Sequence, residues 1–284
     1  MWAVEIAVVL MRPRGGLPDV VGVAVLADVG VLVPIAAGVV ETFAIAWAVV
    51  LAGRVARAAR AAGNTGLDFA ERIEAGFVSV LGAGLASRVF ATEVALAAYA
   101  LGFGRQRRGG NDPDSFTAHR ESAYPAAMGA LILIAVTELS AAYLLLRELW
   151  PGAVVPHLVL SCYGLLWLLG DLGSVISRRH RAGADALRLR IGLRFALDVP
   201  WDAVISVVPL DPGRDPATSS TTRHAVALGQ PRVVVQLARP LRAWTVYGIR
   251  REVSTVLLGV DDPGRFVRAC AARIAEAQAA RPWS

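Results

Sequence analysis

Two apolar runs, Tyr124 to Leu146 and Val154 to Ile176, constrain this chain more than any other feature of its sequence. Each has 23 residues, and a helix rising about 1.5 Å per residue needs roughly 20 to cross a bilayer. A short turn, Arg147 to Gly152, joins them, so they read as an antiparallel hairpin. The second run stops at Arg178-Arg179-His180-Arg181, and from Ala186 onward apolar and charged residues alternate. The pattern predicts a membrane domain over 1–181 and a separate domain over 184–284.

Charge follows the same division. All 29 basic residues are arginine. Residues 1–177 carry 12 of them against 14 acids, a net of −2, while residues 178–284 carry 17 against 9, a net of +8. A basic domain tethered to a membrane faces an anionic leaflet, which makes the anionic lipid bilayer the expected partner. Another membrane or cytoplasmic protein is the second partner class. Nucleic acid is set aside, because the chain has no aromatic-basic motif and no Gly-rich basic tail. Cys162 and Cys270 lie in different parts of the chain, so neither a disulfide nor a metal site is expected.

The arginine clusters set the topology. Arg12/Arg14, Arg54/Arg57/Arg60, Arg105/Arg107/Arg108 and Arg178/Arg179/Arg181 should all be cytoplasmic by the positive-inside tendency. An even number of crossings must then separate each pair of clusters. Residues 19–53 are 35 nearly continuous apolar residues broken by Pro34 and Gly38, which suits two short tilted crossings at about 19–37 and 39–57. Two more fall at 124–146 and 154–176. Between them, Leu67, Ala70, Ile73, Phe77, Leu81 and Leu85 follow a helical period among Asp68, Glu71, Arg72 and Glu74, so 66–103 reads as an interfacial or re-entrant helical pair. Six crossings, with 64–104 crossing twice, satisfy the same rule. Either way the reading is a multi-pass protein of the cell membrane with both termini cytoplasmic.

In the tail the period becomes two. Leu187, Leu189 and Ile191 alternate with Arg188 and Arg190, and further strands are expected at 193–197, 203–208, 232–237, 243–247 and 252–260, with a polar loop over 211–222. Asp262 and Pro263 open a helix over 263–280 that buries Phe266, Cys270 and Ile274. Leu187 to Gly192, Asp198 to Val204 and Val256 to Val267 resemble the strands and last helix of bacterial pleckstrin-homology-like domains. The layout is similar to bacterial integral membrane proteins that carry such a tail. The resemblance implies an α-helical transmembrane bundle followed by a small α+β domain, an antiparallel barrel or sandwich with one C-terminal helix. It lends no activity and no catalytic residue.

Two groups of residues are candidates for function. Glu41, Glu93, Glu138, His157 and Asp171 fall within or beside apolar segments, where an ionisable group marks a pathway or a partner. Glu138 lies 14 residues inside its run, and with His157 and Glu41 it would form a proton or cation site. The structural alternative is a carboxyl hydrogen-bonded to Ser140, Ser161 or a carbonyl, holding helices in register. Asp171 lies close enough to a helix end to reach water. The second group is Arg178, Arg179, Arg181, Arg188 and Arg190, read as a patch facing anionic headgroups or as a solvated strand face. The sequence has no Gly-x-Ser-x-Gly, Walker, His-Glu-x-x-His or Cys-x-x-Cys motif. The expectation is therefore a non-enzymatic scaffold or sensor without cofactor or metal, with a small ion- or proton-coupled transporter as the alternative.

Overall fold

The computed structural model describes residues 46–47, 49–62, 67–104, 113–211 and 219–279. The chain divides into two compact units, 1–57 and 58–284. In the first, the described residues are helical, and Arg57 Nε donates to the Gly53 carbonyl at 3.3 Å. Glu41, the crossing at 19–37 and residues 39–45 and 48 of that at 39–57 lie outside the described residues.

The second unit begins with two short helices, α1 (Phe69–Leu81) and α2 (Leu85–Ala100). A capping box opens α1: the Glu71 amide donates to Asp68 Oδ1 at 3.0 Å, and the Asp68 amide to Glu71 Oε2 at 2.9 Å. Gly82, at φ 79°, closes it with its amide on the Val78 carbonyl. Helices of 13 and 16 residues reach only about 20 and 24 Å, short of a hydrocarbon core of about 30 Å.

Two longer helices follow, α3 (Tyr124–Leu149) and α4 (Val154–Ser177), joined through Trp150 and a 3-10 turn at Pro151–Ala153. The segments Tyr124–Leu149 and Pro151–Ser177 are long and apolar enough to cross a membrane. Along α3 only Tyr124 and Met128 are buried, and the rest turns leucine, isoleucine and valine outward. The last turns of α4 are covered instead, because glycines let α2 come close. A Cβ on Gly173 would lie 2.7 Å from the Tyr99 carbonyl oxygen, and one on Gly170 would meet that of Leu96. Small residues at a helix interface admit this kind of backbone approach.

The sheet has eight strands: β1 (Ser115–Phe116), β2 (His180–Ala182), β3 (Ala186–Ile191), β4 (Phe195–Pro200), β5 (Val204–Pro209), β6 (Thr222–Ala225), β7 (Val233–Thr245) and β8 (Arg250–Leu258). Their order is β1-β2-β3-β4-β7-β8-β6, with β5 paired to β7. This is an open, mixed sheet, because β6 runs parallel to β8, where the sequence reading has an antiparallel barrel. The strands expected at 232–237 and 243–247 are one strand, β7. Its register shifts between Gln236 and Leu241, where Pro240 has no N–H to give the ladder. Its first half pairs with β5 and its far end with β4.

The last helix, α5 (Pro263–Ala279), is capped by Asp262, whose carboxylate accepts from the Arg265 amide at 2.9 Å. It buries Phe266 and Cys270 on the sheet. Phe116 of β1 meets Phe266 edge-on, with ring centroids 5.1 Å apart. The amides of Arg120 and Glu121 then donate to the Asp261 carboxylate, each at 3.1 Å.

The boundary at 184 therefore moves. The sheet takes β1 from the segment before α3 and β2 from the residues that follow the two-residue exit of α4. A fragment of residues 184–284 lacks both strands and leaves Phe266 without Phe116. Losing a buried phenylalanine alone costs about 3–5 kcal/mol, against a typical domain stability of about 5–15 kcal/mol. We expect that fragment to show no cooperative thermal transition by circular dichroism; a sharp transition would make β1 and β2 accessory to the fold.

Candidate functional site: an arginine cluster where helices meet sheet

Successive residues of a strand face opposite sides of the sheet. In β3, Leu187, Leu189 and Ile191 enter the core while Arg188 and Arg190 take the other face. That face is not open at Arg190, because the start of α1 covers it. Arg190 is 5% exposed, and its guanidinium finds an acceptor for all five N–H groups. Nε and Nη2 donate to Glu71 Oε1 at 2.9 and 2.6 Å, and Nη2 also reaches Asp198 Oδ1 at 2.7 Å. Nη1 donates to the Leu189 and Leu197 carbonyls at 3.0 and 3.1 Å.

Arg178, the first residue after α4, is held alongside. Its side chain is 6% exposed; Nε donates to Asp68 Oδ2 at 2.8 Å and Nη1 to the Gly192 carbonyl at 2.6 Å. Burial raises the pKa of Asp68, but the charge of Arg178 and its hydrogen bonds outweigh burial and hold the carboxyl below the usual range. Burial works against the Arg178 charge in turn, and Asp68 more than offsets it. Asp68 and Glu71 thus cap α1 and neutralise two arginines at once. Sequence reading puts Arg178 and Arg190 on a headgroup-facing or solvated surface; both are instead enclosed in ion pairs. Arg179, Arg181 and Arg188 are half-buried and line, with Arg72, Arg178 and Arg190, a cavity of about 310 Å³ at the end of α4.

Asp171 is corrected as well. It does not reach water: it is 1% exposed and accepts from Arg194, in the turn between β3 and β4, and from the Tyr124 hydroxyl at the start of α3. Arg194 Nε lies 2.9 Å from Asp171 Oδ1. Glu93, on α2, accepts from Tyr163 of α4 at 3.0 Å and from Tyr247 at 2.9 Å. Tyr247, at φ 58°, sits in the left-handed region that a bulky residue rarely adopts. Nearby, Trp244 lies between the guanidiniums of Arg88 and Arg250, each 4.1 Å from a ring centroid.

Glu138 and His157 are not brought together by any hydrogen bond among the described residues. Glu138 is exposed in a groove between α3 and α4 lined by Ser161, Tyr163 and Trp167. Ser140 donates to the Val136 carbonyl at 2.9 Å, and Ser161 pairs with His157 at 3.5 Å on its own helix. Neither serine serves the carboxyl. Among the described residues no cluster of three or more His, Cys, Asp or Glu side chains is placed to hold a metal ion.

His180 gave no functional signal in the sequence, where it stands among arginines. It is 0% exposed. Its Nδ1 accepts from the Arg190 amide at 3.1 Å, so Nε2 carries the proton and donates to the Gly259 carbonyl at 3.2 Å. The hint was alternation: Arg179 and Arg181 flank His180 and Ala182 as outward residues flank inward ones in a strand. Comparison with known proteins gives no match to a family model, to a curated protein or to a solved structure.

Burial pushes His180 down to about 4 from its ordinary 6.5. The folded protein then binds fewer protons than the unfolded chain between those values, so stability is full above about pH 6.5 and falls as pH drops. The loss saturates below about pH 4 at about 3 kcal/mol. We expect the denaturation midpoint to fall from pH 7 to pH 4.5. His180→Gln, which keeps one acceptor and one donor but cannot titrate, should flatten that fall, and an equal fall in the variant would contradict it.

Proposed function

We propose that this chain is a multi-pass membrane protein that presents its sheet domain at the cytoplasmic face of an anionic bilayer as a non-enzymatic sensor or scaffold. The observation that carries this reading is the junction between helices and sheet. Only Arg178 and Arg179 separate α4 from β2, and ion pairs join α1 to β3 and to the end of α4, and α4 to the turn between β3 and β4. A domain fixed in this way at the end of a membrane helix transmits what it meets at the lipid surface to the helices. The run β2–β4 and the closing helix α5 are in keeping with a pleckstrin-homology-like tail, although the sheet stays open. The net charge of +8 over residues 178–284 supports attraction to anionic headgroups, which contribute about 1 kcal/mol per nearby arginine.

The test compares full-length protein in nanodiscs of neutral phosphatidylcholine and of phosphatidylglycerol. Hydrogen exchange in β2, β3 and α1 should slow in the anionic discs, and the difference should shrink as salt rises, since screening acts over about 10 Å at 0.1 M. Identical exchange in both lipids would reject the reading.

The exposed Glu138 in its groove favours a second reading, a proton-coupled permease. Liposomes holding the protein and a pH-sensitive dye should keep an imposed pH gradient. A leak that Glu138→Gln abolishes would favour the permease instead.

A further inference from the structure

The two long helices set the level at which lipid would meet the protein. α3 has no buried residue after Met128, and α4 has none before Gly170. The runs left bare are Gly129–Leu149 and Pro151–Leu169. Each is about 30 Å long at about 1.5 Å per residue, which is the thickness of a hydrocarbon core. On the side of the sheet the boundary therefore passes near Gly129 and Leu169. Two elements cross it. α2 lies along α4 and points the same way, since Leu96 comes up against Gly170 and Tyr99 against Gly173. Further back on α2, Glu93 accepts from Tyr163 at 3.0 Å, a residue about 9 Å past Leu169 along α4. The β7–β8 hairpin is held at that same level. At its tip the Tyr247 hydroxyl donates to Glu93 at 2.9 Å, and the Gly248 carbonyl accepts from Arg88 Nη1 at 3.4 Å. The left-handed φ of 58° at Tyr247 is a strained conformation that persists only where its surroundings impose it.

The side chains of the hairpin suit that depth. Ile249 follows the tip turn and is 53% exposed. On α2, Leu85, Phe90 and Val94 are exposed as well. The guanidinium of Arg250 lies over the Trp244 ring, 4.1 Å from its centroid. Arg251, and Arg242 on the opposite strand, are exposed further from the tip. A strand advances about 3.4 Å per residue, so these three arginines stand about 3–10 Å behind Ile249 along the hairpin. An apolar tip backed by tryptophan and arginine is the pattern of an interfacial anchor, which enters the boundary of headgroups and acyl chains by about 5–10 Å. A protein partner would have to reach past the edge of the leaflet to cover Ile249, whereas lipid lies there already.

We propose that the tip of the β7–β8 hairpin is inserted in the cytoplasmic leaflet, with Ile249 among the acyl chains and Arg242, Arg250 and Arg251 among the headgroups. The inference rests on the membrane reading above and adds the element that touches lipid. It makes the sheet domain part of the bilayer boundary rather than a body that only faces it.

The experiment places nitroxide labels on the full-length protein in nanodiscs of phosphatidylcholine and of phosphatidylglycerol. Exposed Cys162 is replaced by serine, and buried Cys270 is left in place. Ile249→Cys carries the label at the tip, and Ile205→Cys, on β5, carries it elsewhere in the same sheet. Both positions are exposed, so neither label displaces a core residue. Collisions with oxygen, which concentrates in lipid, and with a nickel chelate, which stays in water, report depth. We expect the label at 249 to lie about 5–10 Å below the phosphates and the label at 205 to lie in water. The depth should be the same in both lipids and should persist in 1 M salt, where screening falls to about 3 Å. A label at 249 as open to the nickel chelate as that at 205, or a depth lost in 1 M salt, overturns the insertion and leaves the tip to a protein partner. If hydrogen exchange in β2, β3 and α1 still slows in the anionic discs, the membrane-surface reading stands and the insertion alone fails. Insertion in both lipids with exchange indifferent to lipid charge would keep the tip in the bilayer and remove the sensor of anionic lipid.

Discussion

Burying Arg190 is the constraint on which the rest of the junction depends. A guanidinium cannot shed its charge at any accessible pH, so a strand that turns one inward must surround it with acceptors. Here β3 and β4 supply two carbonyls and Asp198, and α1 supplies Glu71. Such an arrangement is close to neutral overall compared with an apolar packing, yet removing one partner costs about 3–5 kcal/mol. Its effect is registry more than stability. α1 fits at one position along the strand, and a slip of one residue would turn Arg190 toward the core.

That registry extends into the helices. Asp68 and Glu71 spend their oxygens both on capping α1 and on Arg178 and Arg190, so helix formation and docking are one event. Arg178 leads directly out of α4, and Asp171, about two turns earlier, holds Arg194 of the next hairpin. α2 approaches α4 at Gly170 and Gly173 closely enough that backbone meets backbone. Between these fixed points there is little room for the sheet to swing about the end of α4, which separates this architecture from a domain on a flexible linker.

Much of the frame was legible in the sequence because it rests on periodicity. The 23-residue apolar runs mark α3 and α4, the alternation at 187–191 marks β3, and Phe266 and Cys270 mark the buried face of α5. What could not be read rests on partners distant in sequence. Ser115-Phe116 is too short to carry a period and becomes a strand because β2 lies opposite it. Thr222–Ala225 sits at the edge of a polar loop and pairs in parallel with β8, a partner no local pattern names. Arginine is read as surface by default, since it is almost never buried unless paired. Arg178 and Arg190 are the exceptions because Asp68 and Glu71, over a hundred residues earlier, cover them.

Charge divides here by depth. The innermost arginines, Arg178 and Arg190, are neutralised by carboxylates of the same chain, which fixes geometry but cancels their field at long range. The outer ones, Arg72, Arg179, Arg181 and Arg188, line the same cavity at the end of α4. A fully neutralised cluster would hold the fold and attract nothing. A cluster without internal acids would attract anions, but its buried cations would have no partner until one arrived, at a cost of several kcal/mol each. With Asp68 and Glu71 matching the inner pair, the junction stands folded without any bound anion.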